Sequence, residues 1–293
     1  ALIIMNRFLA LQKILELGSF TEAATTLGYT QSAISQMITS LETEFGVTLL
    51  NRSRHDIHLT HEGQQLYPLI QRTVRQYQQI TEKATEIKGL DTGVIRVGTV
   101  SSITCHWLPG LIKDFQQRYP HIDFVFYQGD YNSIQNWIKT DVVDFGFTSP
   151  AAITGLQTIP VKDDELVAIL PAGHPLARQE KLTLSALCPE PFILLEEGQF
   201  NEPLRAFAAE NLAPQVKYRL HDDYGIMTMV EAGLGVSILP KLVLRRTNFN
   251  IAIRSLSPGL SRKLALGFKD RRSLPIASQY FVQEILDHRE YLV

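Results

Sequence analysis

Polar but uncharged side chains recur at helical spacing near residue 35 and are the first candidates for chemistry. Ser32, Ser35, Gln36 and Thr39 lie opposite an apolar stripe, and a face that only met solvent would normally carry charges. The stripe consists of Ile34, Ile38, Leu41 and Phe45. Because amides and hydroxyls both donate and accept hydrogen bonds, we interpret this face as a hydrogen-bonding surface.

A second set of candidates follows predicted strands in the C-terminal two thirds of the chain. Ligands of α/β proteins bind near the carboxyl ends of strands, so we expect this set to converge on one small-molecule site. Its members are Ser101, Ser102, Thr148, Ser149, Gln199, Phe200, Asn201 and Tyr224, the last of which follows Asp223 at the start of a predicted helix. The helix predicted to begin beside Ser101 offers free N–H groups, which favour an anionic ligand such as a carboxylate. For any single member, helix capping alone stays equally open.

Catalytic motifs are absent from the sequence. It contains no G-x-S-x-G, G-x-x-x-x-G-K-[ST] or H-E-x-x-H, and the run Gly233–Ile238 lacks the third glycine of a dinucleotide fingerprint. His55, His58 and His61 recur every third residue, but no cysteine or carboxylate cluster accompanies them. We therefore expect that the protein is not an enzyme, and that it binds no metal and no cofactor besides a small-molecule effector. Cys105 is expected to be a buried packing residue, with a redox thiol as the alternative.

Three helices must position the first set. Apolar spacing predicts a helix over Phe8–Leu17, a short helix after the capping box that starts at Ser19, and a third helix that ends near Phe45. Leu49–Arg52 and Ile57–Leu59 then flank a basic tip, as in a β-hairpin wing. This spacing is that of a helix-turn-helix, although a purely structural bundle fits the spacing equally well.

One long helix is predicted from Thr60 to Lys88, with apolar residues at heptad spacing. At 1.5 Å per residue it is roughly 40 Å long, too long for its own domain to cover, so we expect dimerisation. The predicted seam is Ile70, Thr73, Tyr77, Ile80, Ala84 and Ile87. Gly89–Gly93 then predicts a hinge.

Strand and helix patterns alternate from the hinge to the end of the chain. Short apolar runs in such an alternation predict parallel strands that are buried on both faces. The predicted strands are Val94–Val100, Asp123–Gln128, Val143–Thr148, Leu166–Leu170, Phe192–Leu195, Gln215–Leu220, Val236–Leu239, Ile251–Leu256 and Lys263–Phe268.

The composition is that of a globular protein with about two domains. The 293 residues are 45% hydrophobic and 20% charged, and the net charge of −2 gives no general preference for nucleic acid or membranes. Two distant cysteines, no signal-peptide pattern and no apolar run of membrane-spanning length lead us to expect a cytoplasmic location. Ala1–Ile4 precede Met5, the expected native start.

Short motifs spread over nearly the whole chain agree with one family. They include Gly18–Ala24, Thr30–Ser35, Leu49–Arg52, Tyr119–Pro120, Asp144–Gly146, Gly173–Leu176 and Met229–Val236. In these motifs the chain resembles the LysR-type transcriptional regulators. Two alternatives fit less well: a periplasmic-type solute-binding protein has no use for residues 5–88, and an α/β enzyme needs a nucleophile, metal or nucleotide loop.

The resemblance implies an α/β protein with an all-α winged helix-turn-helix at residues 1–60 and a dimerising linker helix with its hinge at 61–93. Residues 94–293 would form an effector-binding domain of periplasmic-binding-protein type, with the inducer in its cleft. Subdomain I would comprise 94–161 and 268–293, and subdomain II 162–267. The implied partners are double-stranded promoter or operator DNA, a second copy within a homodimer or homotetramer, and RNA polymerase, with no membrane.

The resemblance also implies which residues meet DNA. Gln31, Ser32, Ser35, Gln36 and Thr39 would face the bases, and Arg52, Arg54 and His55 would meet phosphates. The family often has basic residues at the positions of Gln36 and of Thr39 or Ser40, whereas this chain has none there. Residues 5–88 carry eight Lys/Arg against eight Asp/Glu, so we predict a shallow dependence of DNA affinity on salt.

Overall fold

The computed structural model describes residues 2–52, 57–86 and 92–292. These residues divide into two compact units, the first ending at Ala84 and the second beginning at Thr85. No helix within the described ranges combines the length and apolar content needed to cross a membrane.

The first unit contains the predicted helices and wing. Its elements are α1 (Leu2–Leu17), α2 (Phe20–Leu27), α3 (Gln31–Phe45), β1 (Leu50–Arg52), β2 (Ile57–Leu59) and α4 (His61–Glu86). The predicted order is confirmed, with α1 beginning six residues earlier than its apolar pattern indicated. The strands β1 and β2 pair antiparallel, with Leu50 opposite Leu59. The wing tip and most of the hinge Gly89–Gly93 lie outside the described residues.

Local signals in the sequence account for the ends of these helices. The Ser19 hydroxyl accepts from the Glu22 N–H at 3.2 Å and caps α2, and Gly28 ends α2 with a φ of 73° that glycine adopts readily. Leu11, Ile14, Ile34, Ile38 and Leu41 are fully buried in the shared core. At Gly63, an added Cβ would lie 2.3 Å from the Leu49 carbonyl oxygen, so this glycine lets α4 approach the wing.

The second unit contains the remaining helices and strands. Its helices are α5 (Ser101–His106), α6 (Leu108–Arg118), α7 (Tyr131–Lys139), α8 (Leu184–Leu187), α9 (Glu202–Ala209), α10 (Asp223–Glu231) and α11 (Ile276–His288). Its strands are β3 (Gly93–Thr99), β4 (Ile122–Gln128), β5 (Phe145–Thr148), β6 (Gln157–Pro171), β7 (Lys181–Leu182), β8 (Pro191–Leu195), β9 (Gln215–Leu220), β10 (Ser237–Pro240) and β11 (Ile251–Phe268).

The main sheet is mixed, so the prediction of uniformly parallel strands is wrong. Along the order β10-β6-β11-β5-β3-β4, the strand β3 pairs in parallel with β4 and β5, whereas the pairs β10–β6, β6–β11 and β11–β5 are antiparallel. The short strand β7 lies beside this order and pairs in parallel with β11. A second, two-stranded sheet pairs β8 and β9 in parallel. The sequence pattern missed the antiparallel pairs because burial on both faces gives an apolar run in either strand direction.

Two strands are much longer than predicted. The prediction placed a five-residue strand inside what is the 15-residue β6, and it divided the 18-residue β11 into two. The division arose because Pro258 and Gly259 interrupt the apolar pattern, at the point where the β11–β6 register shifts between Ser255 and Leu260. Because of their length, β6 and β11 both contribute residues to several apolar cores. One core lies around Phe115 and Phe281, and the others lie around β8 and α10.

Candidate nucleic-acid interface and effector cleft

α3 presents its polar face to the outside of the first unit. Gln31, Ser32, Gln36 and Thr39 are exposed, and Ser35 is half-buried. The opposite face is fully buried at Ile34, Ile38 and Leu41. The structure thus brings together on one surface the five residues that sequence reasoning assigned to this helix.

Hydrogen bonds fix α3 at both ends. The Thr30 hydroxyl accepts from the Ala33 N–H at 3.2 Å and lies 3.0 Å from the Ser32 hydroxyl. Near the other end, Glu42 Oε1 accepts from the Leu49 N–H at 2.8 Å, which ties the helix to the chain entering β1. A helix held in this way presents its side chains from a rigid backbone.

The amides of Gln31 and Gln36 are the groups on this face best suited to reading a base. Within the described ranges, no other side chain holds either amide in a hydrogen bond. A glutamine amide presents one donor and one acceptor side by side, which matches the N6 and N7 edge of adenine. The arrangement is chemically able to distinguish base pairs in a major groove.

The predicted phosphate contacts are placed only in part. Arg52 is the last residue of β1, while Arg54 and His55 lie outside the described residues. Across the hairpin, the Asn51 amide and the His58 imidazole are 3.1 Å apart. The structure therefore supports the strands of a wing, and the roles of the arginines stay predictions.

The apolar residues of α4 face two ways, which corrects the predicted seam. Ile70 is buried in the core of the first unit and Tyr77 packs partly against that core, so neither is free for a partner helix. Ile80 is 66% exposed, and Thr73 and Ala84 are also exposed. Leu69, outside the predicted seam, is 50% exposed, and Ile87 lies outside the described residues. We name Leu69, Thr73, Ile80 and Ala84 the outer stripe of α4.

A cavity of about 340 Å³ lies in the second unit. Its walls come from the carboxyl ends of β3, β4, β8 and β9 and from the beginnings of α7 and α10. This is where an α/β protein is expected to hold a ligand. We name this cavity the cleft.

Of the eight predicted effector residues, only Ser101 lines the cleft. Ser102 is buried behind it, where its hydroxyl accepts from Arg262 Nη2 at 2.7 Å. Thr148 and Ser149 are buried at the end of β5, and the Thr148 hydroxyl has no hydrogen-bond partner within the described residues.

The other four predicted residues lie away from the cleft lining. Gln199 is exposed, and the Phe200 ring lies 4.9 Å from the Arg205 guanidinium carbon. Asn201 caps α9 by accepting from the Leu204 N–H at 3.0 Å, which is the capping role left open by the sequence. Tyr224 is 66% exposed, with its ring against Phe249. Away from these residues, Cys105 is exposed on α5, so its interpretation as a buried packing residue is wrong.

Sequence reasoning missed the two glutamates of the cleft, whereas it noted Asp223 beside Tyr224. Glu196 and Glu197 line it directly after β8, and Asp223 lines it at the start of α10. The sequence could have indicated the glutamates, because they directly follow a buried strand and Glu197 lies two residues before Gln199. Arg262 gave no such signal, because it lies within β11 and reaches the cleft region only through the long-range pairing of that strand.

Arg262 is the centre of a buried polar network. Its side chain is 1% exposed and lies 2.8 Å from Asp164 Oδ2 and 3.6 Å from Glu197 Oε1. Asp164 also accepts from the Leu242 N–H at 3.1 Å. A buried charge is tolerated when it is paired and hydrogen-bonded in this way.

Burial controls the ionisation of the acids around Arg262. Burial raises the pKa of Glu197 from its ordinary 4.5 to about 7, against the opposing effect of Arg262, and the carboxylates of Glu202 and Asp223 add to the rise. Burial likewise raises the pKa of Asp223, although the Ser101 hydroxyl donates to it at 2.5 Å. Within the described residues, no group of three His, Cys, Asp or Glu side chains is arranged to hold a metal ion.

Comparison with known proteins decides the family. A model described as "Bacterial regulatory helix-turn-helix protein, lysR family" matches residues 5–64, and one described as "LysR substrate binding domain" matches residues 88–290. The second match alone covers more than half of the chain. The chain belongs to the LysR family. It is therefore a DNA-binding transcriptional regulator with an effector-binding domain, and the members of this family are not enzymes.

Similar proteins of full length agree with this assignment. The probable HTH-type transcriptional regulator LrrA of Synechococcus elongatus is 31% identical over 254 residues, which are 86% of this chain and 86% of LrrA. Full-length OxyR from Pseudomonas aeruginosa has a TM-score of 0.72 at 22% identity, covering 99% of this chain and 98% of OxyR. CbnR, solved with its target DNA, has a TM-score of 0.71 at 18% identity and covers 98% of both chains.

Membership in the LysR family confirms the expected architecture. The all-α N-terminal part with its wing and the α/β part that follows correspond to the two matched segments. The α3 face lies in the segment that matches the helix-turn-helix model, and the cleft lies in the segment that matches the substrate-binding model.

Proposed function

We propose that this LysR regulator recognises its operator through the exposed polar face of α3 and that a small molecule in the cleft controls the DNA-bound state. The observation that carries the proposal is the uncharged, outward face of a helix fixed at both ends. The CbnR complex supports it, because a protein of the same fold has been solved on its target DNA.

The residues of the proposed interface fall into three groups, each with its own kind of contact to DNA. Gln31 and Gln36 pair with adenine edges, while Ser32, Ser35 and Thr39 offer hydroxyls to bases or sugars. Arg52, Arg54 and His55 contact phosphates from the wing. Because the partner is chromosomal DNA, the proposal places the protein in the cytoplasm, and no cofactor enters it.

The test of DNA recognition is a gel-shift titration with the intergenic DNA beside the protein's own gene. Replacing Gln36 by Ala removes a bidentate contact worth ~1–3 kcal/mol, so we expect the affinity to fall by about 5- to 150-fold. Gln12→Ala on α1 removes a glutamine amide that bonds Glu16 and is the matched control. Unselective binding that Gln36→Ala leaves unchanged would contradict recognition through α3.

The outer stripe of α4 supports a homodimer. Its exposed residues, three apolar and one threonine, repeat at spacings of four and seven, as in a helix that packs against a partner helix. Two copies joined there carry two α3 helices to half-sites one or more DNA turns apart. We propose further pairing of effector domains into a homotetramer that holds bent DNA, with RNA polymerase as the partner in activation.

The dimer is tested by Ile80→Glu, which places a charge on the outer stripe in both copies. We expect sedimentation velocity to show a loss of dimer, because a buried isoleucine contributes about 1.5–3 kcal/mol per copy and an unpaired buried charge is costly. Gln64→Glu adds the same charge at an exposed position on the opposite side of α4 and should leave the dimer intact. An unchanged sedimentation coefficient for Ile80→Glu would exclude this stripe as the seam.

Control by the small molecule requires that it binds two states of the protein with different affinity, since otherwise no equilibrium shifts. We expect an inducer to change both the solution scattering profile and the operator footprint. Identical profiles and footprints with and without a bound inducer would contradict this part of the proposal.

A further inference from the structure

The interior of the cleft is short of positive charge. Glu197 and Asp223 line it and Asp164 lies buried beside it, whereas Arg262 is the one guanidinium that the described residues place against these three carboxylates. Arg262 is 2.8 Å from Asp164 and 3.6 Å from Glu197. Asp223 instead accepts from the neutral Ser101 hydroxyl. Three carboxylates around one cation leave an excess of two negative charges when all are ionised.

The acids at the rim have hydrogen-bond or ion-pair partners of their own. Glu196 lies 3.3 Å from both Arg219 and His221, which are largely exposed. Asp130 Oδ1 accepts from the Ser133 N–H at 2.7 Å and so caps α7. The uncompensated charge therefore lies in the interior of the cleft, at Glu197 and Asp223.

Two buried polar atoms in this region lack hydrogen-bond partners among the described residues. Tyr131 lines the cleft and is fully buried, and its hydroxyl has no partner of regular geometry among the described residues. The nearby Arg262 guanidinium can only donate, so it cannot accept the phenol proton. Behind the lining, Glu202 Oε1 is buried and receives no hydrogen bond from the part of the chain that the structure describes. Unsatisfied buried groups of this kind are costly unless a guest satisfies them.

We infer that the effector is a small organic cation whose ammonium or guanidinium group binds between Glu197 and Asp223 and whose oxygen accepts from the Tyr131 hydroxyl. This inference rests on the proposed function, in which the cleft holds the effector. It replaces the carboxylate expected from the sequence, because a carboxylate would meet like charges at close range. A cation would instead form charge-assisted hydrogen bonds in a partly buried site.

The raised pKa values of Glu197 and Asp223 agree with this reading. In both, burial disfavours the ionised form, and a bound cation would restore it. The cavity of about 340 Å³ falls within the usual range for small-molecule sites. It suits a guest of the size of an amino acid or an amino sugar.

The experiment compares guests that differ only in the charged group. The full-length protein is heated with 4-hydroxybutylguanidinium or its neutral isostere 4-hydroxybutylurea, and with 4-aminobutan-1-ol or the anion 4-hydroxybutanoate, at equal millimolar concentration and equal ionic strength. A ligand at about five times its Kd raises the Tm by about 2–4 °C. We expect such a shift with at least one cation and none with its neutral or anionic counterpart.

Substitutions then locate the effect. Glu197→Gln and Asp223→Asn each remove one negative charge and should abolish the shift, and Glu180→Gln, an exposed position outside the cleft, should preserve it. Tyr131→Phe removes only the hydroxyl and should reduce the shift while the protein remains folded. If Glu197→Gln and Asp223→Asn fail to fold, the shift measured for Tyr131→Phe tests whether the cation binds in the cleft.

Three results would overturn the inference: a larger shift with the anion, no shift with any cation, or a cation shift that Glu197→Gln, Asp223→Asn and Tyr131→Phe all preserve. A gel shift on the same samples separates this failure from that of the proposed function. If operator binding stays selective and responds to the anion, the cleft keeps its role and only the class of effector is wrong. If operator binding is itself unselective, the proposed function fails.

Discussion

The α3 face and the cleft solve opposite physical problems. On α3 the side chains that we propose to contact DNA are neutral and lie outside the buried core, where solvent and DNA can reach them. In the cleft the functional side chains are charged and partly or fully buried, and they depend on one another through Arg262. The first surface can change without disturbing the fold, whereas a change in the second alters stability and ionisation together.

This contrast predicts where a substitution will be felt. Exposed positions away from special features shift the free energy of unfolding by less than about 0.5 kcal/mol, so α3 variants should alter DNA affinity alone. Removing one partner of a buried charge pair leaves the other uncompensated. Cleft variants should therefore appear first in unfolding experiments.

The largest expected effect is that of Arg262→Met, which keeps the length of the side chain and removes its charge. Asp164 and Glu197 would lose their shared cation, and we expect the free energy of unfolding to fall by about 3–5 kcal/mol. Trp107 and Trp137, the two tryptophans of the chain, both lie in the second unit. Urea unfolding followed by tryptophan fluorescence therefore reports on this unit.

The neighbouring Lys263→Met is the matched control for Arg262→Met. Lys263 is 73% exposed and lies 3.5 Å from Asp163, an exposed ion pair of the kind worth less than about 1 kcal/mol. If the two variants unfold at the same urea concentration, the description of Arg262 as the centre of the cleft network is wrong.

The same contrast explains how much of the fold the sequence could predict. The helices of the first unit follow from local signals: the Ser19 cap, the glycine at position 28 and the apolar stripe at Ile34 and Ile38. The mixed sheet does not, because strand direction depends on partners far away in the chain, as in the pairing of Arg262 with Asp164 across β11 and β6. Local patterns predict that a strand exists, but they do not predict which strand pairs with it or in which direction.

The candidate sites follow the same division. The α3 residues were predictable because an exposed polar face is a property of one helix. In the cleft, Ser101 was predictable from its place after β3, whereas Asn201 looked the same in sequence and proved to cap α9. A hydroxyl or amide at the end of a strand can either line a ligand site or cap a helix. Its distance from Glu197 and Asp223 in the folded structure shows which of the two roles it has.

The next effect in size concerns pH and Glu197. Its pKa is raised from 4.5 to about 7 in the folded protein, so its stabilising contribution is fully present below pH 4.5 and is lost as the pH rises through 7. At 1.36 kcal/mol per unit, this rise corresponds to at most about 3 kcal/mol. We expect Glu197→Gln to be more stable than the parent protein at pH 8 and no more stable at pH 4.5.

Unfolding of both proteins across this pH range measures the difference for Glu197→Gln. Glu180→Gln, exposed and outside the cleft, should follow the parent at every pH. A Glu197→Gln curve parallel to that of the parent would mean that the pKa of Glu197 is the same in the folded and unfolded protein, which would contradict the effect of burial described for the cleft.

The smallest expected effect concerns the neutral charge of the first unit. Thr39→Lys adds a cation to the exposed face of α3, where it can neutralise one phosphate per copy, so the slope of log affinity against log salt should steepen by about 0.9 for each copy bound. Stability should change by less than about 0.5 kcal/mol. Thr154→Lys, exposed in the second unit, raises the net charge equally and should leave the slope almost unchanged. Equal steepening by both variants would show that overall charge, and not the α3 surface, governs the approach to DNA.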